Sequence, residues 1–529
     1  MHASSDRAAQ LTAATSYSAP QEHLGIPQKT ARDYVTHLLT IAVLVLLVFI
    51  IRKAWIDMDV SWDSITYHLP FAALRTGIIT QRQYHLSTWF AGLYAGMPVL
   101  PDYLQGMIWR LTSRPQGANF LGLIALLIAT CFFWLRHKIP FGLLLAALLG
   151  VPAILLQSTS ALVDLFTNSF ATITIFSIFI AWIDPETFSI RDVIIALICL
   201  AVAVNTKTQF VLVGSAALLG MAVVAYFNRH RLLVFRQHAS MPRWKRALFI
   251  TFVACTICLN YGWEIRNTIK LHNPVYPVAV TIGHTQLRGM FPAGGLGRAE
   301  PRYLANAPGW ERWILSVVEF NAFDGRNPLW TNAQGDLPPD SHAVRMGGTF
   351  GALALFNGFL FLALQKALRS RYGLKPFWFM TVVTVMTAFM PASQEIRYYL
   401  YWIMCLIIMN LYLILNGLSE PERSIYKLLT SCVIASFLLF VLCATDFQYV
   451  RAHGYSPEFL AKGAHVEEQL NAMHVQKGEA ICVENKQPAT FLYSPNFNPN
   501  LASRLDYHIY QGWNASDEAV DCAGHRVLH

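Results

Sequence analysis

Eleven long apolar runs divide this chain of 529 residues, and each is close to the length of a helix that crosses a lipid bilayer. Such a helix needs about 20 mostly apolar residues, so several runs are slightly short and their boundaries are approximate. Only 13% of the residues are charged, about half the share found in soluble globular chains. We therefore predict a mainly α-helical, polytopic membrane protein with about 11 transmembrane helices. The runs are 37–54, 117–135, 140–157, 162–183, 191–206, 209–227, 247–263, 346–365, 376–392, 398–416 and 425–444.

The Lys and Arg residues between the runs predict which side of the membrane each connection faces. Short cytoplasmic segments of membrane proteins carry an excess of Lys and Arg. With a cytoplasmic N-terminus, the segments on that side hold 18 such residues, whereas the short turns on the other side carry Lys207 and Arg397. Topology therefore accounts for the net charge of +9, which does not indicate a nucleic-acid partner. The cytoplasmic segments are 1–36, 136–139, 184–191, 228–246, 366–375 and 417–427.

This orientation predicts three regions along the chain. Residues 1–36 form a cytoplasmic tail, residues 37–444 form the transmembrane domain, and residues 445–529 form a small α/β domain on the opposite face. The transmembrane domain carries two large outer loops, 55–116 with interfacial helices and 264–345. In a bacterium the outer face is the periplasm. We therefore expect a multi-pass protein of the inner membrane with a periplasmic C-terminus.

The cysteines divide into two groups. Seven of the nine lie in or beside apolar runs, where a free cysteine behaves as a small hydrophobic residue. The other two, Cys482 and Cys522, lie in the predicted C-terminal domain. Because disulfides persist in oxidising compartments, we expect these two to pair. No Cys and His cluster has zinc spacing. No cofactor is required, and a divalent metal is compatible with the sequence but is not indicated by it.

The first outer loop opens on residues 62–70, which contain Asp63, Tyr67 and His68. Asp63 and Tyr67 are four residues apart, so they share a face of an interfacial helix. We expect partial desolvation at the bilayer edge to raise the pKa of the Asp63 carboxyl group. A carboxylate of this kind suits a general base that takes a proton from a hydroxyl group. His68 is a second proton acceptor, a phosphate-binding group or an interfacial packing residue.

Four more charged residues lie beside apolar runs on the outer side: Asp164, Lys207, Arg266 and Arg397. A charge at the edge of a membrane helix is costly unless it is paired, so each is a functional candidate. Lys207, a lone cation in an outer turn between two apolar runs, opposes the orientation rule, which predicts an anionic partner such as a lipid-linked phosphate. The structural alternatives are a helix cap for Asp164 and headgroup contact for Lys207. Glu395 is too close in sequence to Arg397 to be an ideal helix partner, so we expect each to have another partner.

These strings resemble those of the GT-C superfamily, whose members are polytopic glycosyltransferases that use polyprenyl-phosphate sugars. The first outer loop opens with an Asp, has a Tyr four residues later and continues as an amphipathic helix. This pattern is most similar to that of bacterial aminoarabinose transferases and protein O-mannosyltransferases. The motif of those enzymes begins Asp-Glu, whereas this chain has Asp63-Ser64. Residues 261–277 resemble a Trp-x-x-Arg-Asn…Gly-Asn-Pro-x-Tyr-Pro string, with His272 at the usual Gly, and residues 394–400 resemble an Arg-Tyr-Leu string.

The resemblance implies transfer of a sugar from a polyprenyl-phosphate donor to a glycan, lipid or protein acceptor at the outer face of the inner membrane. Asp63 would act as the general base. Arg397, with Lys207 and Arg266, would offset the charge of the departing phosphate. The implied substrate-binding residues are Tyr67, His68, Asp164, Lys207, Arg266 and Arg397.

Two other classes of protein stay open. A lipid-linked glycan flippase or transporter fits the number of spans, but such proteins bind their substrate near the middle of the membrane. An O-antigen polymerase or ligase also has a large outer loop, but it has no need of an Asp-x-x-x-Tyr string directly after the first span. Glu319, Asp324 and Arg326 in the second outer loop are further candidates for contacts to an acceptor.

Overall fold

A computed structural model describes residues 31–282, 284–290, 307–318, 349–476, 478–484, 488–494, 508–512, 522 and 524–528. Over these ranges the protein is mainly α-helical, as predicted. The helices are α1 Ala31–Ile56, α2 Leu69–Arg75, α3 Thr88–Gly96, α4 Leu100–Thr112, α5 Phe120–His137, α6 Phe141–Leu149, α7 Pro152–Gln157, α8 Asp164–Ile183, α9 Ile190–Val204, α10 Phe210–Asn228, α11 Leu233–Ser240, α12 Arg243–Asn260, α13 Gly262–Leu271, α14 Gly309–Val317, α15 Thr349–Ala367, α16 Arg369–Tyr372, α17 Lys375–Ala388, α18 Tyr401–Gly417, α19 Glu420–Ala444, α20 Pro457–Gly463 and α21 Val466–Ala472.

Short strands accompany the helices. They are β1 Tyr84–His85, β2 Val280–Ile282, β3 Thr285–Leu287, β4 Ala480–Glu484, β5 His508–Gly512 and β6 Arg526–Leu528.

Six helices of the described part of the chain are long and apolar enough to cross a membrane, and a seventh is added if α12 and α13, which meet at a bend of 45°, form one span. The four remaining predicted runs fold into the shorter helices α6 with α7, α9, α17 and α18. Helix α9 has 15 residues, so it is about 22 Å long and shorter than the hydrocarbon core. Helix length therefore supports fewer spans than the eleven predicted. The six are Tyr34–Ile56, Pro115–His137, Asp164–Ile183, Phe210–Asn228, Thr349–Ala367 and Glu420–Ala444.

The shorter helices nevertheless run between the same two ends of the bundle as the long ones. At one end, Arg136 in the last turn of α5 donates to Asp192 in the first turn of α9 at 2.6 Å. Lys375 at the start of α17 donates to the carbonyl of Trp182 near the end of α8 at 3.2 Å. We call this end, where segments 136–139, 184–191, 228–246, 366–375 and 417–427 meet, the basic face.

The opposite end of the bundle is built around α8 and α18, whose side chains are almost all buried. Asn168 in α8 joins the two helices: its Nδ2 donates to the carbonyl of Arg397 at 3.1 Å, and its Oδ1 accepts from the backbone N–H of Tyr401 at 2.9 Å. The first N–H groups of a helix lack partners within the helix, so this bond fixes the start of α18 against α8. We call this end the site face.

The C-terminal residues and the first outer loop share one sheet. The four parallel strands lie in the order β1-β5-β4-β6, and the edge strand β1 comes from the first outer loop. One apolar cluster joins Ile65 and Leu69 beside the start of the loop to Val466, Phe491 and Ile509 of the C-terminal region. The described part of residues 445–529 contains helices and strands, and it packs as one unit with the loop. A two-residue strand has no periodicity that sequence could reveal.

Asp57, directly after α1, ties the chain that follows α19 to the first span. Its carboxylate accepts from the backbone N–H groups of His453, Gly454 and Tyr455 at 2.8 to 3.1 Å, and it pairs with Lys53 at 3.0 Å. Burial would raise the pKa of this carboxyl group, but Lys53 and the backbone donors lower it below its usual value. Asp57 is therefore an ionised structural anchor.

Candidate active site

Asp59 shapes the loop that carries Asp63. Its carboxylate accepts from the backbone N–H of Ser61 at 3.0 Å and from the hydroxyl groups of Ser61 and Ser64 at 2.9 and 2.5 Å. It also accepts from the backbone N–H of Ala161 at 2.8 Å, which holds the loop beside the start of α8. Since Asp57 and Asp59 are both occupied by structural bonds, Asp63 is the acid of segment 57–63 that is left for the site.

Asp63 and Arg397 form an ion pair although 334 positions separate them in the chain. Asp63 directly precedes the π-helical turn Ser64–His68, and Arg397 lies in the 3₁₀ turn before α18. The Arg397 Nη1 donates to Asp63 Oδ2 at 2.8 Å. The Asp63 side chain keeps 18% of its surface exposed, whereas that of Arg397 keeps 4%. The carboxylate is therefore the accessible member of the pair.

A second ion pair lies beside the first. Lys207, in the turn between α9 and α10, donates to Asp164, the first residue of α8. The other carboxylate oxygen of Asp164 lies 4.0 Å from Arg397 Nη1. The Tyr398 ring lies 3.9 Å from Lys207 Nζ and packs against both cations. Four residues predicted from separate parts of the chain are thus brought together at the site face.

Glu395 is a fifth charged residue of this group, and its place in the sequence predicted no role for it. Its Oε2 lies 3.8 Å from Arg397 Nε, beyond hydrogen-bond distance. Arg397 has another partner, as expected, but Glu395 lies against Arg397 itself. Glu395 precedes the 3₁₀ turn with a non-helical backbone (φ −77°, ψ 81°), so helical spacing does not apply to it. We call Asp63, Asp164, Lys207, Glu395 and Arg397 the charge cluster.

Burial and the neighbouring charges of the cluster shift the pKa values of Asp63 and Glu395 in opposite directions. Burial would raise the pKa of Asp63, but Arg397, His68 and Lys207 lower it below its usual value. The expectation of a raised pKa was therefore wrong, because it considered desolvation without the arginine. Burial raises the pKa of Glu395 to about 7, with Asp63 and Asp164 adding to this effect and Arg397 opposing it. At neutral pH Asp63 is thus ionised, whereas Glu395 is close to its titration midpoint.

Tyr67 and His68 lie next to the cluster without direct bonds to it. Burial and the charge of Asp63 raise the pKa of Tyr67 well above its usual value, so its hydroxyl stays neutral. The His68 Nδ1 lies 3.4 Å from Asp102 in α4, whose other oxygen accepts from Arg75 at 3.1 Å. The imidazole therefore belongs to a neighbouring polar chain with Asp102 and Arg75.

Arg266 is not part of the charge cluster. Its Nη1 donates to the carbonyl of Ala95 at 2.6 Å and to the side chain of Asn267, and its guanidinium lies 4.3 Å from the Trp263 ring. The residue joins α13 to the end of α3.

The remaining candidates lie elsewhere. Cys482 in β4 and Cys522 are joined by a disulfide, with their Cα atoms 5.5 Å apart. Glu319, Asp324 and Arg326 lie outside the described residues. Within the described ranges, no three His, Cys, Asp or Glu side chains are grouped so as to hold a metal ion.

The fold and the cluster define a polytopic α-helical protein with buried charges gathered at one end of an apolar bundle. No protein-family model matches the chain, and no curated protein matches it. Its structure is similar to two crystal structures of ArnT from Cupriavidus metallidurans, one in the apo state and one bound to undecaprenyl phosphate. In each case the TM-score is 0.46 and the sequence identity is 12%, and the match covers 93% of this chain and 88% of that one.

Proposed function

We propose that this protein is a membrane glycosyltransferase that moves a sugar from a polyprenyl-phosphate donor to a hydroxyl group of an acceptor, with Asp63 as the general base. The observation that supports the proposal most is the convergence of Asp63, Asp164, Lys207 and Arg397 in one largely buried group from which the Asp63 carboxylate is accessible. A buried ionised group is costly unless it is paired. Two cations and an accessible carboxylate in one place suit a reaction in which a phosphate leaves and a hydroxyl loses its proton.

The proposed step is an inverting displacement at the sugar's anomeric carbon. The bond from that carbon to the donor's phosphate oxygen breaks, and its electron pair stays on the phosphate. The acceptor oxygen forms the new bond and its proton passes to Asp63. Lys207 and Arg397 stabilise the charge that develops on the leaving group.

The ion pair between Asp63 and Arg397 gives donor binding a second effect. A phosphate that engages Arg397 competes with Asp63 for the guanidinium group. Loss of this partner removes the largest of the interactions that lower the pKa of the Asp63 carboxyl group. Binding of the donor therefore makes Asp63 a stronger base at the moment when the base is needed.

We further propose that all eleven apolar runs cross the inner membrane, with the N-terminus in the cytoplasm and the site face towards the periplasm. The contacts at the basic face, which join ends of both long and short helices, favour this arrangement. A donor carried by a lipid is then required, because nucleotide sugars are absent from the outer side. A flippase or transporter is less well supported, because Asp164 and Arg397 lie at helix ends and not at mid-membrane.

The test is transfer of a radiolabelled sugar in membranes that contain the protein. Polyprenyl-phosphate monosaccharides, hexosyl and pentosyl, are supplied with lipid, glycan and protein acceptors. We expect label in an acceptor with the wild type and none with Asp63→Asn, which keeps the shape of the side chain but cannot accept the proton. The matched control is Asp446→Asn, at an exposed position with φ 46° that asparagine tolerates.

Two results would contradict the proposal. One is transfer by Asp63→Asn at the rate of the wild type. The other is movement of a lipid-linked glycan across vesicles without any new glycosidic bond, which would make the protein a transporter. Transfer of a preassembled glycan in place of a monosaccharide would instead favour a polymerase or ligase.

A further inference from the structure

Two buried polar atoms lie next to each other in the charge cluster without being bonded. Neither Glu395 Oε2 nor Arg397 Nε has a hydrogen-bond partner among the described residues, and the two atoms are 3.8 Å apart. Buried polar groups are nearly always paired, because an unpaired one costs about 1–3 kcal/mol. An oxygen atom of a phosphate can bridge such a gap, since it lies within reach of both groups. It accepts from the Arg397 N–H, and it accepts from Glu395 only if that carboxyl carries a proton.

The charges of the cluster favour the protonated form of the Glu395 carboxyl group. Arg397 is bonded to Asp63 and Lys207 is bonded to Asp164, so each cation already has one carboxylate. Glu395 is a third carboxylate for two cations. A donor phosphate would add another negative charge to a site with little access to water. Protonation of Glu395 relieves this excess at the lowest cost, because Glu395 is the acid without a bonded cation.

The surroundings of Glu395 agree with this assignment. Asp63 and Asp164 face it from the first outer loop and α8, and Lys207 faces it from the turn between α9 and α10. Helix α14, which packs against the 3₁₀ turn that carries Arg397, holds Glu311 and Arg312. Burial, with the two aspartates, raises the pKa of Glu395 to about 7, despite the opposing effect of the cations.

We propose that Glu395 is the general acid of the reaction and gives its proton to the departing polyprenyl phosphate. This inference rests on the proposed function. As the bond between the anomeric carbon and the phosphate oxygen breaks, the electron pair goes to that phosphate and the Glu395 proton follows it. The acceptor proton goes to Asp63. The phosphate therefore leaves as a monoanion, and the charge of the protein is unchanged because one carboxylate gains the proton that the other loses.

The two carboxyl groups then return to their starting forms by one proton transfer from Asp63 to Glu395 through solvent. The second ionisation of a phosphate monoester has a pKa near 6, close to the pKa of about 7 that burial gives Glu395. Matched pKa values make the transfer easy in both directions. Asp63, which is bonded to Arg397 Nη1, thus acts as the base, and Glu395, which lies beside Arg397 Nε, acts as the acid.

The test compares the wild type with Glu395→Gln over a range of pH. The purified full-length chain is given a polyprenyl-phosphate sugar, and kcat and KM are measured. Gln keeps the shape and a hydrogen-bond donor but has no proton to give. We expect kcat to fall by about 10²- to 10⁴-fold, the usual contribution of a general acid, while KM for the donor changes less than about threefold. The matched control is Glu186→Gln, whose side chain is 60% exposed at the basic face.

The pH profile identifies the role. A general acid must be protonated, so kcat of the wild type should fall as the pH rises through the pKa of Glu395 near 7. This alkaline decline should disappear from the residual activity of Glu395→Gln and persist in Glu395→Asp. Binding of undecaprenyl phosphate and the unfolding temperature should match those of the wild type, which separates loss of the acid from loss of the fold.

Three outcomes would overturn the inference. Wild-type kcat in Glu395→Gln would do so, as would an unchanged alkaline decline, or loss of undecaprenyl phosphate binding, which would make Glu395 a binding residue. If the wild type transfers sugar and Asp63→Asn does not, these outcomes leave the proposed function intact. If the wild type transfers no sugar from any polyprenyl phosphate, the proposed function and this inference fail together.

Discussion

At the scale of single residues, the charge cluster is held together by pairs. Asp164 has 2% of its side chain exposed, and its carboxylate is bonded to Lys207. Either residue without the other would destabilise the fold, because an unpaired buried charge is far more costly than a buried pair. The pairing explains how a lysine tolerates the turn between two apolar helices. It also means that loss of function after mutation of either residue has two causes, chemistry and stability.

Stability measurements on this pair separate the two causes. Lys207→Met should destabilise the protein by about 3 kcal/mol, because it leaves the buried carboxylate of Asp164 without its bonded cation. The double variant Asp164→Asn with Lys207→Met should recover most of that loss, since it removes both charges. Thermal unfolding in detergent checks this expectation through a double-mutant cycle. A loss in the double variant equal to the sum of the losses in the two single variants would mean that the two residues do not depend on each other.

The same scale shows what sequence could predict about the site. Asp63, Asp164, Lys207 and Arg397 are recognisable because charges beside apolar runs need a partner or a function. Arg266 has the same sequence signal, yet it binds the carbonyl of Ala95, 171 positions away, and lies outside the charge cluster. Sequence position alone cannot separate a charge that belongs to the site from one that joins two helices elsewhere in the fold.

At the scale of elements, the end of α3 fixes the position of α13 and the chain after it. The carbonyl of Gly96, the last residue of α3, accepts from Trp263 Nε1 at 2.6 Å and from Asn267 Nδ2 at 2.9 Å. The Tyr276 ring packs on the Cα of the same glycine, where an added Cβ would lie 2.1 Å from the ring. Two outer segments therefore meet where no side chain larger than hydrogen fits.

Gly96→Ala tests this contact. The added methyl group cannot be accommodated unless Tyr276 moves, so we expect a loss of about 1–3 kcal/mol, typical of overpacking. The control is Gly358→Ala in α15, where a Cβ meets nothing within 4 Å and alanine favours the helix by about 1 kcal/mol. Unfolding temperatures of the two variants should move in opposite directions. A wild-type unfolding temperature for Gly96→Ala would show that the segment after α13 adapts freely.

Elements differ in how well the sequence predicts them. Apolar runs of helical length mark α1, α5, α8, α10, α15 and α19, because burial in lipid requires long, uncharged stretches. The join between the first outer loop and the C-terminal sheet depends on the pairing of Tyr84 with Ile509, two residues 425 positions apart. Neither strand has a pattern that specifies its partner, so this contact is visible only in the folded protein.

At the scale of the whole molecule, the two ends of the bundle differ in chemistry. The basic face gathers Lys and Arg in connections between helices, whereas the site face holds the charge cluster, the first outer loop and the disulfide between Cys482 and Cys522. A disulfide is stable in an oxidising compartment, and Lys and Arg are enriched on the cytoplasmic side of membrane proteins. Two independent rules thus favour the same orientation.

Labelling of single cysteines tests this orientation directly. We expect a membrane-impermeant maleimide to label Glu468→Cys in intact spheroplasts, because Glu468 is 79% exposed in the C-terminal region on the site face. Glu186→Cys, 60% exposed at the basic face, should react only after permeabilisation. Both changes are made in a chain whose seven unpaired cysteines are replaced and whose disulfide is kept. The reverse pattern would place the charge cluster in the cytoplasm, where nucleotide sugars are available, and would remove the reason for a lipid-linked donor.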